Sequence, residues 1–166
     1  MFEEKTFSDE EKGAINKTLN YLKYRPRSTK EVVDYLKRKS YGQKLIEKVI
    51  KYLENFGYLD DLLFARIWIE SRKEGKSLSR NRLKSELLLK GVNANLIEKE
   101  LNSIYPEEEE EKIVFEVARK QLKKYERLND DTKKRRLYNY LASKGFRPNI
   151  LRRTCEKLLD HDFFID

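Results

Sequence analysis

Apolar and polar positions along the chain recur with the period of an α-helix, and the recurrence is itself repeated three times. Val32–Leu53 reads VVDYLKRKSYGQKLIEKVIKYL, Leu83–Ile104 reads LKSELLLKGVNANLIEKELNSI, and Leu137–Leu158 reads LYNYLASKGFRPNILRRTCEKL. The three segments superimpose without gaps. Val32, Leu83 and Leu137 share a column, and so do Leu36, Leu87 and Leu141. Residues four apart share one helical face, so each pair marks the buried side of a helix. Downstream, Tyr41, Val92 and Phe146 align. Leu45/Leu96/Ile150, Ile50/Leu101/Cys155 and Leu53/Ile104/Leu158 follow. This second stripe predicts another helix. Between the stripes, Gly91 and Gly145 stand where a helix ends in a left-handed residue, each preceded by Lys in the last turn. Ser40 holds that column in the first unit, with Gly42 two residues on, which predicts a slightly different turn.

A further apolar-periodic segment precedes each pair: Ala14–Tyr24, Leu62–Arg72 and Ile113–Tyr125. Each unit therefore reads as three helices, with a period of about 50 residues, longer than the common two-helix repeats. Asp60 or Asp61 suits the N-cap of the second unit's opening helix, and Asn93 or Asn95 the N-cap of its last. Thr29 or Ser28, Ser79 and Thr132 fall where the middle helices begin. Pro148 suits a first helical turn. The expected fold is all-α: an elongated array of three tandem three-helix repeats, about nine helices in all. The divisions are an N-terminal extension (1–9), repeats at 10–57, 58–106 and 107–158, and an acidic C-terminal tail (159–166).

Composition agrees. Charged residues make up 40% of the 166-residue chain, and three Pro and six Gly are too few for a fold rich in strands and turns. No apolar run approaches a membrane span, and the acidic N-terminus lacks the apolar segment of a signal peptide. The cytoplasm is the expected compartment. The glycines lie too far apart for either phosphate-cradling loop. One Cys and one His leave no internal disulfide and no structural zinc site. Cys155 lies in a helical apolar stripe and His161 in the acidic tail, so their pairing as a catalytic dyad is not expected. No catalytic residue, metal or cofactor is assigned.

The second repeat carries the most specific words. They are Tyr58, Asp60-Asp61, Phe64-Ala65, Trp68 and Arg72, then Ser79, Arg82-Leu83, Glu86-Leu87 and Lys90-Gly91-Val92. In this order and spacing they resemble the RecX family, regulatory proteins that modulate the RecA recombinase. With the threefold repeat, the resemblance extends over about residues 14–158. It implies tandem three-helix units and a non-enzymatic regulator of recombinational repair and the SOS response. It also implies binding to RecA, mostly as its filament on single-stranded DNA, with inhibition of ATP hydrolysis and strand exchange. A run of five glutamates, Glu107–Glu111, sits between repeats two and three as a departure from the pattern, either a solvated helix start or a contact site.

Charge supplies a separate argument. The net charge is +8, and the third repeat is the electropositive end, with Lys133, Lys134, Arg135, Arg136, Arg147, Arg152 and Arg153. Its first helix adds Arg119, Lys120, Lys123 and Lys124. A basic face beside aromatics such as Tyr125, Tyr138 and Tyr140 suits a nucleic-acid backbone. The second repeat adds Arg72, Lys76, Arg80, Arg82, Lys84 and Lys90. The alternative is the solvated surface of a Lys/Glu-rich, heat-adapted protein. Trp68 is able to stack on a base, but it shares a helical stripe with Phe64 and Arg72 and is expected in the core, and Tyr58 is expected to be packed. The expected partners are RecA and its single-stranded DNA filament, with naked DNA a further candidate, no membrane, and a monomeric chain. A plain DNA-binding module built on Leu83–Leu101 and a protein-only helical-repeat adaptor are the rival readings.

Overall fold

A computed structural model describes residues 7–159. Among them are nine helices and no strand. The first repeat holds α1 (Asp9–Leu22), α2 (Thr29–Arg38) and α3 (Gln43–Asn55). The second holds α4 (Asp61–Lys76), α5 (Arg80–Leu89) and α6 (Ala94–Ile104). The third holds α7 (Glu107–Lys123), α8 (Asp130–Ser143) and α9 (Pro148–Leu159).

Each repeat buries a separate apolar cluster. Val32, Leu36, Ile46, Val49 and Leu53 anchor the first, Leu83, Leu87, Ile97 and Leu101 the second, and Leu137, Leu141, Ile150, Leu151 and Cys155 the third. The two columns read from the sequence as the buried face of the middle helix are fully enclosed in all three repeats. Another column, Ile46/Ile97/Leu151, is equally enclosed although the pattern of shared apolar positions did not single it out. Extensive helix packing stays within repeats. Among the described residues only Ile113, on α7, packs against two clusters at once.

Turn chemistry follows the sequence closely. Gly91 and Gly145 have φ of +79° and +86°, and Ser40, without glycine's freedom, holds φ +64°. The first repeat therefore makes the same left-handed turn as the others, rather than a different one. Ser28, Asp60, Ser79 and Asn93 are N-caps, each accepting an N–H from the first turn of its helix. For α8 the cap is Asn129, whose Oδ1 accepts the Thr132 N–H at 2.9 Å, so Thr132 is the capped partner rather than the cap.

The repeats join by a polar interlock that occurs twice at equivalent positions, with a different serine donor each time. The last carbonyl of α5, at Lys90, accepts the Ser28 hydroxyl at 2.7 Å, and the Thr29 N–H donates to Asp61 at 2.8 Å. One repeat on, the Lys144 carbonyl at the end of α8 accepts the Ser79 N–H at 3.1 Å, and the Arg80 N–H donates to Glu110 at 2.8 Å. The C-terminal end of one middle helix thus meets the N-terminal end of the preceding one. The negative pole of one dipole faces the positive pole of the next, and a carboxylate from the following repeat completes the cap. Among the described residues no hydrogen bond or ion pair joins the first repeat to the third. The repeats are therefore joined in series, each bonded only to its neighbours.

Candidate nucleic-acid interface

The cations expected to bind phosphate divide into two groups once their partners are known. In the second repeat most are engaged inside the protein. Arg80 is anchored most firmly. Its guanidinium donates to the Leu101 carbonyl at 2.9 Å, to the Tyr105 carbonyl and to Asn102 Oδ1 at 2.6 Å, tying down the C-terminal end of α6. Lys90 pairs with Glu31 of the first repeat at 3.0 Å, and Lys84 pairs with Glu98. Arg72 and Arg82 lie 3.8 and 3.7 Å from the carboxylate oxygens of Glu86. Lys76 is exposed, and its carbonyl accepts the Lys144 ammonium at 2.8 Å.

Trp68 lies at the centre of this engaged group. It is half-buried rather than enclosed, with its ring 5.8 Å from that of Phe64. Its indole N–H donates to Glu86 at 3.0 Å, while Arg72 and Lys90 stand over the ring at 4.3 and 4.4 Å from its centroid. Cation contacts of this kind are attractive, and they occupy the surface on which a base would stack. Phe64, Ala65, Leu83 and Leu87 are core residues. Gly91 stands against Lys30, whose Cβ would lie 2.6 Å from a Cβ added at the glycine. The expectation for Tyr58 fails: the residue is 53% exposed, in the turn between α3 and α4, where Leu59 instead enters the core.

The family words Asp60-Asp61 act at two different helices. Asp60 caps its own helix, accepting the Leu62 and Leu63 N–H groups, while Asp61 reaches back to cap α2. The glutamate run repeats the second role. Rather than a segment between repeats, it is the first turn of α7. Glu110 is 1% exposed and caps α5, and Glu109 pairs with Lys73 at 2.8 Å. Burial pushes the Glu110 carboxyl above its ordinary range, against the pull of the Arg80 N–H and the Arg147 guanidinium. Glu100 is equally buried, paired with Arg66 at 2.9 Å, and stands in the column held by Val49 and Thr154. A carboxylate among apolar spacings gave no signal in the sequence that it would point inward.

In the third repeat the picture reverses. Arg147 pairs with Glu107 at 2.8 Å, Lys133 lies 3.3 Å from Asp130, and Arg153 is a looser 3.6 Å from Glu111. Lys134, Arg135, Arg136 and Arg152 are exposed and have no acidic partner among the described residues. Arg135 and Arg136 lie on α8 and Arg152 on α9. These two helices pack on each other, so the unpaired charge is carried on adjoining elements. Arg119, Lys120, Lys123 and Lys124 add exposed charge along α7 and its end. Unpaired surface cations neutralise phosphates without first breaking an internal pair. Cys155 is buried, and burial pushes its thiol above the ordinary range, which makes it a core residue and a poor nucleophile. His161 lies outside the described residues. Among the described residues no cluster of acidic, His or Cys side chains is arranged to hold a metal, and no helix is long and apolar enough to cross a membrane.

Comparison with known proteins gives the same three units. Residues 14–53, 60–101 and 107–154 match the first, second and third three-helix domains of RecX. The regulatory protein RecX of Bacillus licheniformis is 34% identical over 145 residues, 87% of this chain and 55% of that protein. The chain thus spans about half the length of that relative. RecX of Streptomyces coelicolor is 33% identical over 87% of this chain and 76% of its own, and that of Prosthecochloris aestuarii is 34% identical over 88% and 93%. The crystal structure of RecX from Lactobacillus salivarius superimposes with a TM-score of 0.81 at 24% identity, over 92% of this chain and 98% of the other, a likeness of fold. With all three of its helical units matched in order, and relatives about one-third identical along most of their length, the chain belongs to the RecX family.

Proposed function

We propose that this chain is a non-catalytic regulator that binds RecA and its filament on single-stranded DNA, and that it inhibits ATP hydrolysis and strand exchange. The observation that carries the reading is the three-repeat array with exposed, unpaired cations along α7, α8 and α9 of its most electropositive repeat, the third. An array bonded only between neighbours suits a surface that is itself repetitive, such as the groove of a helical nucleoprotein filament. Cations at one end supply a sequence-independent, salt-sensitive hold on a phosphate backbone. Seated in the groove, the array would oppose the subunit motions that accompany ATP turnover and exclude a second DNA strand.

The test is ATP hydrolysis by RecA on single-stranded DNA as the protein is titrated in, with the protein alone as control. Hydrolysis should fall with increasing protein, and the protein alone should hydrolyse nothing. Unchanged RecA turnover at every ratio would overturn the proposal.

A further inference from the structure

The exposed face of α8 differs from the rest of the basic surface because it also carries an aromatic ring. Tyr138 is 39% exposed and lines a shallow recess of about 300 Å³ with Asp131, Lys134, Arg135 and Asn139. Lys134 and Arg135 precede it by four and three positions, so all three share one side of the helix. Side chains on a helix lean toward its N-terminus, which carries the phenol toward these two cations. On the other side, four residues on, stands the small, exposed side chain of Ala142.

The tyrosines nearest in kind are already occupied. Tyr21 stacks on Tyr35, Tyr125 accepts a bond from Gln121, and Tyr140 has the Lys144 ammonium 5.6 Å from its ring centroid. Trp68 is covered by two cations. Tyr24 and Tyr58 are open, but they lie in the first repeat and at its junction with the second, outside the electropositive third repeat. Among the described residues Tyr138 has no aromatic, cation or hydrogen-bond partner, and its two cationic neighbours have no acidic partner. Asp131, at the edge of the recess, is the one opposing charge on this face.

From this arrangement we infer that the outer face of α8 is a platform for single-stranded nucleic acid. Tyr138 stacks on an unpaired base, and Lys134 and Arg135 hold the phosphates beside it. Base–aromatic stacking requires an unpaired base, whereas phosphate contacts are available on any nucleic acid. The ring therefore supplies preference for single strands, and the cations supply affinity without preference. Bases in a duplex are covered on both faces by their neighbours, so the ring has nothing to meet there. This rests on the function proposed above and deepens it by assigning the strand contact to named residues.

The experiment measures binding of the full chain to a fluorescent oligo-dT strand and to a duplex of equal length across a salt series. Tyr138→Ala should weaken single-strand binding about tenfold while leaving duplex binding and both salt slopes in place. Tyr138→Phe should retain the preference, because the hydroxyl is not the contact. Replacing Lys134 and Arg135 with Ala should flatten both slopes by about two units. Equal losses on both nucleic acids, no loss from Tyr138→Ala, or a wild-type chain that ignores the free strand would each overturn the platform. RecA ATP hydrolysis, followed with the same variants, separates this failure from that of the wider proposal. Wild-type inhibition without strand preference would reject the platform alone. Inhibition lost in Tyr138→Ala with DNA binding unchanged would reject it also, and would assign the face to protein contact.

Discussion

At the scale of single residues, two positions test how the repeat tolerates its left-handed turns. Ser40 occupies a conformation that L-residues adopt at a cost of about 1–2 kcal/mol, partly offset in glycine by its greater freedom when unfolded. Ser40→Gly should therefore stabilise the chain by about 0.5–1 kcal/mol, read from the midpoint of chemical denaturation. Gly145→Ala should do the reverse, by roughly 2 kcal/mol or more. Its φ is +86°, and an added Cβ would lie 2.7 Å from Ser79 Oγ and 2.9 Å from Arg82 Cβ, both across the junction with the second repeat. Sequence alone located the glycine column but not the side chains that press against it, because these come from another repeat. Tyr58 was misplaced for a related reason. A short aromatic word at a helix start does not reveal that Leu59 beside it takes the core position.

At the scale of helices, the question is what holds successive elements in register. Most caps local to one helix were legible, since a Ser, Asp or Asn just before an apolar stripe has few other uses, though for α8 the cap is Asn129 and not the expected Thr132. Caps supplied from the next repeat were not, and Asp61 and Glu110 look like ordinary members of acidic clusters. They can be distinguished by substitution. Glu110→Gln keeps an oxygen for the Arg80 N–H and removes a poorly solvated charge, so it should match or exceed wild type at neutral pH. Glu110→Ala orphans the N–H and should cost about 1 kcal/mol. Glu31 behaves oppositely with acid. Burial alone would raise its carboxyl, but bonds from Arg25, Lys90 and the Ser28 N–H hold it down at about 2, against an ordinary value of 4.5. Its ionised form thus adds stability above about pH 4.5, and that stability is lost as pH falls toward 2. For Glu110 the folded form holds its proton more tightly than the unfolded chain, so its contribution weakens as pH rises through the carboxylate range. Thermal melts followed by circular dichroism from pH 7 to 3 should show Glu31→Gln flattening the acid loss and Glu110→Gln raising the neutral end.

At the scale of the whole molecule, the number of repeats, their helical content and the basic character of the third were all readable, because each rests on periodicity or on counting charge. What could not be read was which charges are free, since pairing depends on distances that only packing sets. The second repeat also holds candidate cations, yet most of its own are engaged in the protein. The distinction predicts unequal mutational effects on filament binding. Changing Arg135, Arg136 and Arg152 together to Ala should weaken binding and flatten its salt dependence by about three log–log units, with the fold retained. Arg80→Ala should instead lower thermal stability by releasing the end of α6, with little change in the salt slope. Affinity measured across a salt series, beside a melting curve for each variant, separates the two behaviours.

The interlock between repeats bears on how such a protein fits its target. Each junction centres on a hydroxyl or N–H, one carboxylate and the blunt ends of two helices, with Ile113 at the second also packing against both neighbouring cores. The angle between neighbours is thus set mainly by polar contacts at the helix ends rather than by a continuous core. Substitutions at Ser28, Asp61, Ser79 or Glu110 adjust one angle at a time, whereas in a protein with a single continuous core any such adjustment would disturb the packing everywhere. On the proposed filament-binding function, a lineage faced with a filament of altered pitch would follow it through the joints, with the helices preserved.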